Sequence, residues 1–119
     1  MRILVVDDTE INLRLMEAVL KPVGYDVVKV ALGELSVSIA EEQDLDLILM
    51  DISLPDISGT DAMLKIRKTK YGKKPIIAVT AHAMRGDKEK FEAEGFDGYI
   101  SKPIEITHTL KIVADLLKE

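Results

Sequence analysis

The stretch Leu47-Ile48-Leu49-Met50-Asp51-Ile52-Ser53-Leu54-Pro55-Asp56-Ile57-Ser58-Gly59 decides how the chain is read. Four apolar residues in succession leave no polar face, which is the pattern of a strand covered on both sides rather than of a half-solvated one. The run stops on a carboxylate, Asp51, and a loop with Pro55, Asp56 and Gly59 follows. Residues 59–70 then carry Met63, Ile66 and Arg67 at helical spacing. The unit is a buried strand, an acid, a loop and a helix.

The same unit recurs on either side. Upstream, Ile3-Leu4-Val5-Val6 ends on Asp7-Asp8. A helical pattern with Ile11, Leu15, Ala18 and Val19 follows, with Pro22 near its end and Gly24 as its stop. Residues 26–31 read as a second strand whose Asp26 and Lys29 suit a sheet edge, and Leu35, Ile39 and Ala40 mark a second helix. Downstream, Pro75 opens the strand Ile76-Ile77-Ala78-Val79, which ends at Thr80. A polar helix over residues 85–94 stops at Gly95. Residues 97–100 form a short strand before Ser101-Lys102-Pro103, and a last helix carries Ile104, Leu110, Val113, Leu116 and Leu117. Strands and helices in alternation pair the strands in parallel through right-handed crossovers. The expected fold is α/β, a doubly wound five-stranded parallel sheet of order 2-1-3-4-5 spanning residues 1–119 as one domain.

Composition narrows the function. With 47% hydrophobic residues the chain can bury a core, and with no Cys it has neither a disulfide framework nor a thiolate metal site. No apolar run approaches membrane-spanning length, and acids interrupt the amino-terminal apolar segment too early for a signal peptide, so a cytoplasmic protein is expected. The formal net charge of −5 argues against direct nucleic-acid binding. Arg67, Lys68, Lys70, Lys73 and Lys74 cluster around one turn, which reads as a solvated helix end.

The strand ends carry the chemistry. Asp7 and Asp8, Asp51, Thr80 and Lys102 each follow a strand, so all fall on the carboxyl rim of the sheet, where open parallel sheets bind ligands at the switch between strands one and three. Three carboxylates in one crevice require compensation, and Mg2+ with oxygen ligands supplies it. Lys102 adds a fixed cation and Thr80 a hydroxyl donor. The set suits phosphoryl transfer to a carboxylate nucleophile. Taken singly, each residue has a plainer explanation: a strand-end Asp is often a helix cap or turn residue, Thr80 a structural hydroxyl, and Lys102 a solvated loop cation. What sets these residues apart is their arrival at one rim from four strand ends.

The pieces ILVVDD, LILMDISLPDISG, IIAVTAHA and GYISKPI resemble the response-regulator receiver domain, the CheY-like family, over essentially the whole chain. VTAHAMRGDKEKFEAEGFDGYISKPI and DISLPDISG resemble in particular the single-domain DivK-like receivers and the receivers of hybrid histidine kinases. The resemblance implies a two-component phosphorelay protein that is not an enzyme in the ordinary sense, although it promotes its own phosphoryl transfer and autodephosphorylation. Asp51 would accept a phosphoryl group from a histidine kinase or histidine phosphotransfer protein. Asp8, Asp51 and the backbone carbonyl of Ser53 would ligate Mg2+, with Asp7 acting through metal-bound water. Lys102 would pair with Asp51 and then with a phosphoryl oxygen, Thr80 would swing its hydroxyl to another, and Tyr99 would follow inward and remodel a surface read by a downstream protein. Ala81 and His82 would set access to the phosphoryl group, although His82 facing solvent is the plainer reading. The Lys102–Pro103 bond would be cis, a form open chiefly to X–Pro bonds. No separate output domain is expected.

Three other readings compete. A Mg2+-dependent aspartyl phosphatase of the haloacid dehalogenase type needs a second acid two residues beyond its nucleophile, where this chain has Ser53; Asp44 and Asp46 have the spacing but precede their strand. A flavodoxin would cradle phosphate in its first loop, where Asp7 and Asp8 repel it. A receiver used only as a phosphorylation-independent interaction module is the third, and the intact set of Asp7, Asp8, Asp51, Thr80 and Lys102 argues against it. Met84, Phe91 and Phe96 are expected in the core or between helices, and His108 exposed on the last helix.

Overall fold

A computed structural model describes residues 1–81 and 84–118. Five strands alternate with five helices: β1 Arg2–Val6, α1 Glu10–Leu20, β2 Asp26–Val30, α2 Gly33–Glu42, β3 Leu47–Asp51, α3 Gly59–Ile66, β4 Ile76–Thr80, α4 Asp87–Glu94, β5 Gly98–Ser101 and α5 Ile106–Leu117. All pairings are parallel and the sheet order is β2-β1-β3-β4-β5, as the alternation of strands and helices requires. β3 and β4 are buried along their whole length, whereas β2 is exposed or half-buried throughout, which is the edge that its charges led one to expect.

Because strand side chains alternate between faces, the apolar runs feed two cores at once. Leu4, Val6, Ile48, Met50, Ile76 and Ala78 pack on one face with Ala40 of α2, Ala62, Met63 and Ile66 of α3 and Phe91 of α4. Ile3, Val5, Leu47, Leu49, Ile77 and Val79 pack on the other with Leu13, Met16 and Leu20 of α1 and Val113 of α5. Burying each such side chain contributes roughly 1.5–3 kcal/mol, so the doubly covered sheet dominates the stability.

Several helix faces differ from the sequence expectation. In α1 the buried residues are Leu13, Met16, Val19 and Leu20, while Ile11 is 75% exposed and Leu15 is also exposed. Two apolar stripes compete on that helix, and the sheet takes the one opposite Ile11. In α2, Ser36 and Ala40 face the core and Leu35 is exposed, because small residues let the helix lie close to the sheet. α3 ends at Ile66 rather than at residue 70, and α4 begins at Asp87 rather than at residue 85. Gly86 caps α4 in a left-handed conformation (φ 89°), which glycine adopts without steric cost. Phe91 and Phe96 are buried as expected, but Met84 is 73% exposed. The stop after α1 is as read: Pro22 lies in a short 3-10 turn, Lys21–Val23, closed by Gly24 at φ 102°.

The basic cluster at the end of α3 is not a simple solvated helix end. The Arg67 guanidinium donates to the carbonyls of Gly72 and Gly95 and to Asp97 Oδ2, at 3.0, 2.9 and 2.7 Å, and also to the Lys74 carbonyl. Lys70 pairs with Asp44 and Lys74 Nζ donates to the Leu45 carbonyl. These bonds tie the loops at the amino ends of the strands to one another.

Candidate phosphoryl and metal site

The strand register sets the opposite, carboxyl rim. β1 and β3 are adjacent with Val6 opposite Met50, so the next residues, Asp7 and Asp51, emerge side by side. One carboxylate oxygen from each of Asp7, Asp8 and Asp51 lies within 4.8 Å of the others. Asp7 and Asp51 are buried, each 4% exposed, and Asp8 is exposed. Lys102, in the loop after β5, reaches back across β4: its Nζ lies 2.8 Å from Asp7 Oδ2 and 3.2 Å from Asp51 Oδ2. The sequence reading paired Lys102 with Asp51; here it bridges both acids and is closer to Asp7. The backbone places it, since Lys102 N–H donates to the Thr80 carbonyl at 2.7 Å and the Lys102–Pro103 bond is cis.

The second oxygens of Asp7 and Asp51 have backbone partners. Asp7 Oδ1 accepts from Thr9 N–H at 2.9 Å and from Asn12 Nδ2 at 3.4 Å, and Asp51 Oδ1 accepts from Ser53 N–H at 3.1 Å. Burial pushes the Asp51 carboxyl above its ordinary value, against the Ser53 hydrogen bond and the Lys102 charge, with Asp7 adding to the rise. For Lys102, burial pulls downward, and the carboxylates of Asp7 and Asp51 outweigh it, so the ammonium is held more firmly than usual. The chemistry of the donor set fits a hard divalent cation. Three carboxylates offer oxygen only, and one lysine leaves them short of positive charge.

The other expected residues fall as follows. Thr80 ends β4 and is buried. Ala81 is exposed directly after it, and His82 lies outside the described residues. Ser53 is exposed in the loop after β3. Tyr99 is half-buried on β5, its ring stacked on Phe91 of α4 with centroids 5.7 Å apart; Phe91 in turn meets Phe96 edge-on at 5.8 Å. His108 is exposed on α5. Asp44 and Asp46 lie at the opposite rim, where Asp46 Oδ2 accepts from Arg2 N–H at 2.7 Å.

Three features escaped sequence reasoning. Asn12 sits in the first turn of α1 and reaches Asp7, a contact that no local pattern announces. Gly59 has a steric requirement: a Cβ there would lie 2.2 Å from the Asp51 carbonyl oxygen, so α3 can start against the end of β3 only with glycine. Asp56, read as a turn residue, accepts from the N–H groups of Gly33 and Glu34 at the start of α2.

Comparison with known proteins gives concordant matches. The family profile "Response regulator receiver domain" matches residues 3–114. The polar-differentiation response regulator DivK of Brucella ovis is 34% identical over 116 residues, covering 97% of this chain and 94% of that protein. Among solved structures, the receiver domain of a Pseudomonas aeruginosa sensor histidine kinase, with a magnesium ion coordinated in its active-site cleft, superposes with a TM-score of 0.90 at 38% identity. That match covers 99% of this chain and 98% of the other. A CheY-like receiver domain protein of Methanospirillum hungatei gives 0.88 at 31% identity, over 98% and 92% of the two chains.

Proposed function

The chain belongs to the response regulator receiver domain family, and on that premise we propose that Asp51 accepts a phosphoryl group from a protein phosphohistidine in a Mg2+-dependent reaction. The observation that carries this reading is the bridging of Asp51 and Asp7 by Lys102 inside a cluster of three carboxylates. The Asp51 side chain is the nucleophile. Its oxygen forms a bond to phosphorus as the phosphorus–nitrogen bond of the donor histidine breaks, and the leaving imidazole keeps the electron pair. The product is an acyl phosphate.

Asp8, Asp51 and the Ser53 carbonyl would hold Mg2+, with Asp7 one water removed. The ion would neutralise the carboxylates and the phosphoryl oxygens. Lys102 then exchanges its contact with Asp51 for one with a phosphoryl oxygen, and the Thr80 hydroxyl takes another. Ala81 leaves room for donor and water. Tyr99, stacked on Phe91, carries the change at Thr80 to α4 and to the surface read by a downstream protein.

This chain offers the donor protein an apolar face. Ile11 and Leu15 of α1 and Ile106 of α5 are exposed apolar residues. Beside them a cavity of about 70 Å³ is lined by Leu15, Met16, Pro103 and Ile104 and reaches Asp7 and Lys102. A histidine-bearing helix seated there would deliver its phosphoryl group to Asp51. Ile11→Glu should slow transfer from a phosphohistidine protein by at least tenfold while leaving transfer from acetyl phosphate unchanged; equal loss with both donors would move the docking face elsewhere.

The reading as a whole is tested by intact-protein mass after incubation with acetyl phosphate, with and without Mg2+. Wild type should gain one phosphoryl group only with the metal, and Asp51→Asn should gain none. A wild type that folds, binds Mg2+ and remains unmodified by any phosphodonor would leave a module that acts through binding alone.

A further inference from the structure

We propose that Asp56 is a positioning residue for the phosphoryl site: its carboxylate clamps the loop between β3 and α3 onto the amino terminus of α2. The inference rests on the metal-dependent reading above and adds to it a residue outside the cluster of Asp7, Asp8 and Asp51.

The loop over residues 52–58 has a demanding task. It carries the Ser53 N–H that orients Asp51 and the Ser53 carbonyl assigned to the metal. Its two ends are fixed by the sheet and by α3, through Ile52 N–H to the Val79 carbonyl at 3.0 Å and Gly59 N–H to the Ile52 carbonyl at 2.8 Å. Between these ends Asp56 supplies a long-range anchor. Its Oδ1 accepts from Gly33 N–H and its Oδ2 from Glu34 N–H, both at 2.9 Å.

The helix needs those bonds as much as the loop does. α2 starts after Leu32, whose side chain makes no capping bond. The first N–H groups of a helix have no partner within it, and a local Ser, Thr, Asp or Asn ordinarily meets them. Asp56 fills that role from another element, and its negative charge lies at the positive end of the helix dipole. The hydrogen bonds from Glu34 and Gly33 hold its carboxyl below the usual range.

Apolar packing completes the clamp. A Cβ on Gly33 would lie 2.6 Å from Ile57 Cγ1 and 3.3 Å from Leu54 Cδ1, so the loop's side chains rest directly on the start of α2. Lys65 of α3 pairs with Glu34 across the same junction at 3.0 Å. A carbonyl ligand in an irregular loop binds a metal well only if the loop is ordered beforehand; otherwise binding must supply the ordering free energy.

Three variants test this: Asp56→Ala, Asp56→Asn, which keeps an acceptor, and Gly33→Ala, which presses on Ile57 and leaves the carboxylate in place. In metal-free protein, hydrogen exchange at the amides of residues 33, 34, 52–54 and 56–59 should speed up in Asp56→Ala and less in Asp56→Asn. Calorimetric Mg2+ affinity should fall roughly tenfold in Asp56→Ala, as for other residues that orient metal ligands, with Asp56→Asn intermediate and Gly33→Ala also weakened. Saturating Mg2+ should restore the acetyl phosphate rate of Asp56→Ala to that of wild type, a rescue that damage to the chemistry itself would not permit.

Unchanged exchange would overturn the clamp. Faster exchange with unchanged Mg2+ affinity would confine Asp56 to capping α2 and overturn its role at the site, while leaving the proposed function intact. A deficit that persists at saturating Mg2+ would overturn the positioning role. A wild type that binds no Mg2+ would overturn the clamp's function and the metal-dependent reading together.

Discussion

The two rims of the sheet are built from the same residue types and reach opposite electrostatic outcomes. At the amino rim, Arg67 meets Asp97 and two glycine carbonyls, Asp97 Oδ2 also accepts from Ile76 N–H at 2.9 Å, Asp44 meets Lys70, and Asp46 meets Arg2 N–H. Asp97, Asp44 and Asp46 share no donor with one another. At the carboxyl rim, Lys102 is shared between Asp7 and Asp51 with Asp8 alongside. At the amino rim these acids are met within the chain. At the carboxyl rim three carboxylates gather around one lysine, a deficit of positive charge that the proposed Mg2+ would meet.

The contrast predicts how each rim responds to damage. Lys102→Ala removes the cation shared by two buried acids and should cost about 3 kcal/mol in metal-free urea unfolding. Mg2+ should return part of that loss; no return would mean that the acids do not gather a metal. Arg67→Ala breaks several bonds at once and should cost about 2 kcal/mol. Its Mg2+ affinity should match that of wild type, and a loss of affinity would show that the rims are coupled.

Asp51→Asn should do the reverse and stabilise the metal-free protein by about 1 kcal/mol at neutral pH. The buried Asp51 carboxyl has a raised pKa, so the fold favours its protonated form. The corresponding stability is fully present below the ordinary carboxyl value and is lost as pH rises through the raised value. The advantage of asparagine should therefore vanish in acid, and an advantage that grows in acid would contradict the burial argument. Lys102, also raised, contributes stability below the ordinary lysine value that is lost as pH rises through its own raised value. At the small end, Arg14→Ala removes an exposed pair with Glu10 on α1 and should leave the urea midpoint within error.

The carboxyl rim was the more legible in sequence, for a physical reason. Strand runs such as Ile3-Leu4-Val5-Val6 and Leu47-Ile48-Leu49-Met50 fix register and direction, and once the strands are parallel their following residues must share an edge. Asp7, Asp51, Thr80 and Lys102 could thus be placed from spacing alone. Side chains that choose among neighbours could not. α1 carries two apolar stripes, and only packing against the sheet selects Leu13, Met16 and Leu20 over Ile11 and Leu15. Arg67 looked like one of a group of solvated cations because its acceptors, the carbonyls of Gly72 and Gly95, are backbone atoms of distant loops. Asp56 looked like a turn residue for the same reason, since the two N–H groups it caps lie 22 and 23 positions away.

The most direct test of the central claim is the urea midpoint of wild type and Asp51→Asn measured across a Mg2+ titration at neutral pH. The deficit at the carboxyl rim predicts a crossing: the variant is the more stable without metal, and wild type rises with Mg2+ by mass action until it overtakes the variant. Parallel curves, or a wild type indifferent to Mg2+, would contradict a rim built to hold a cation beside Asp51.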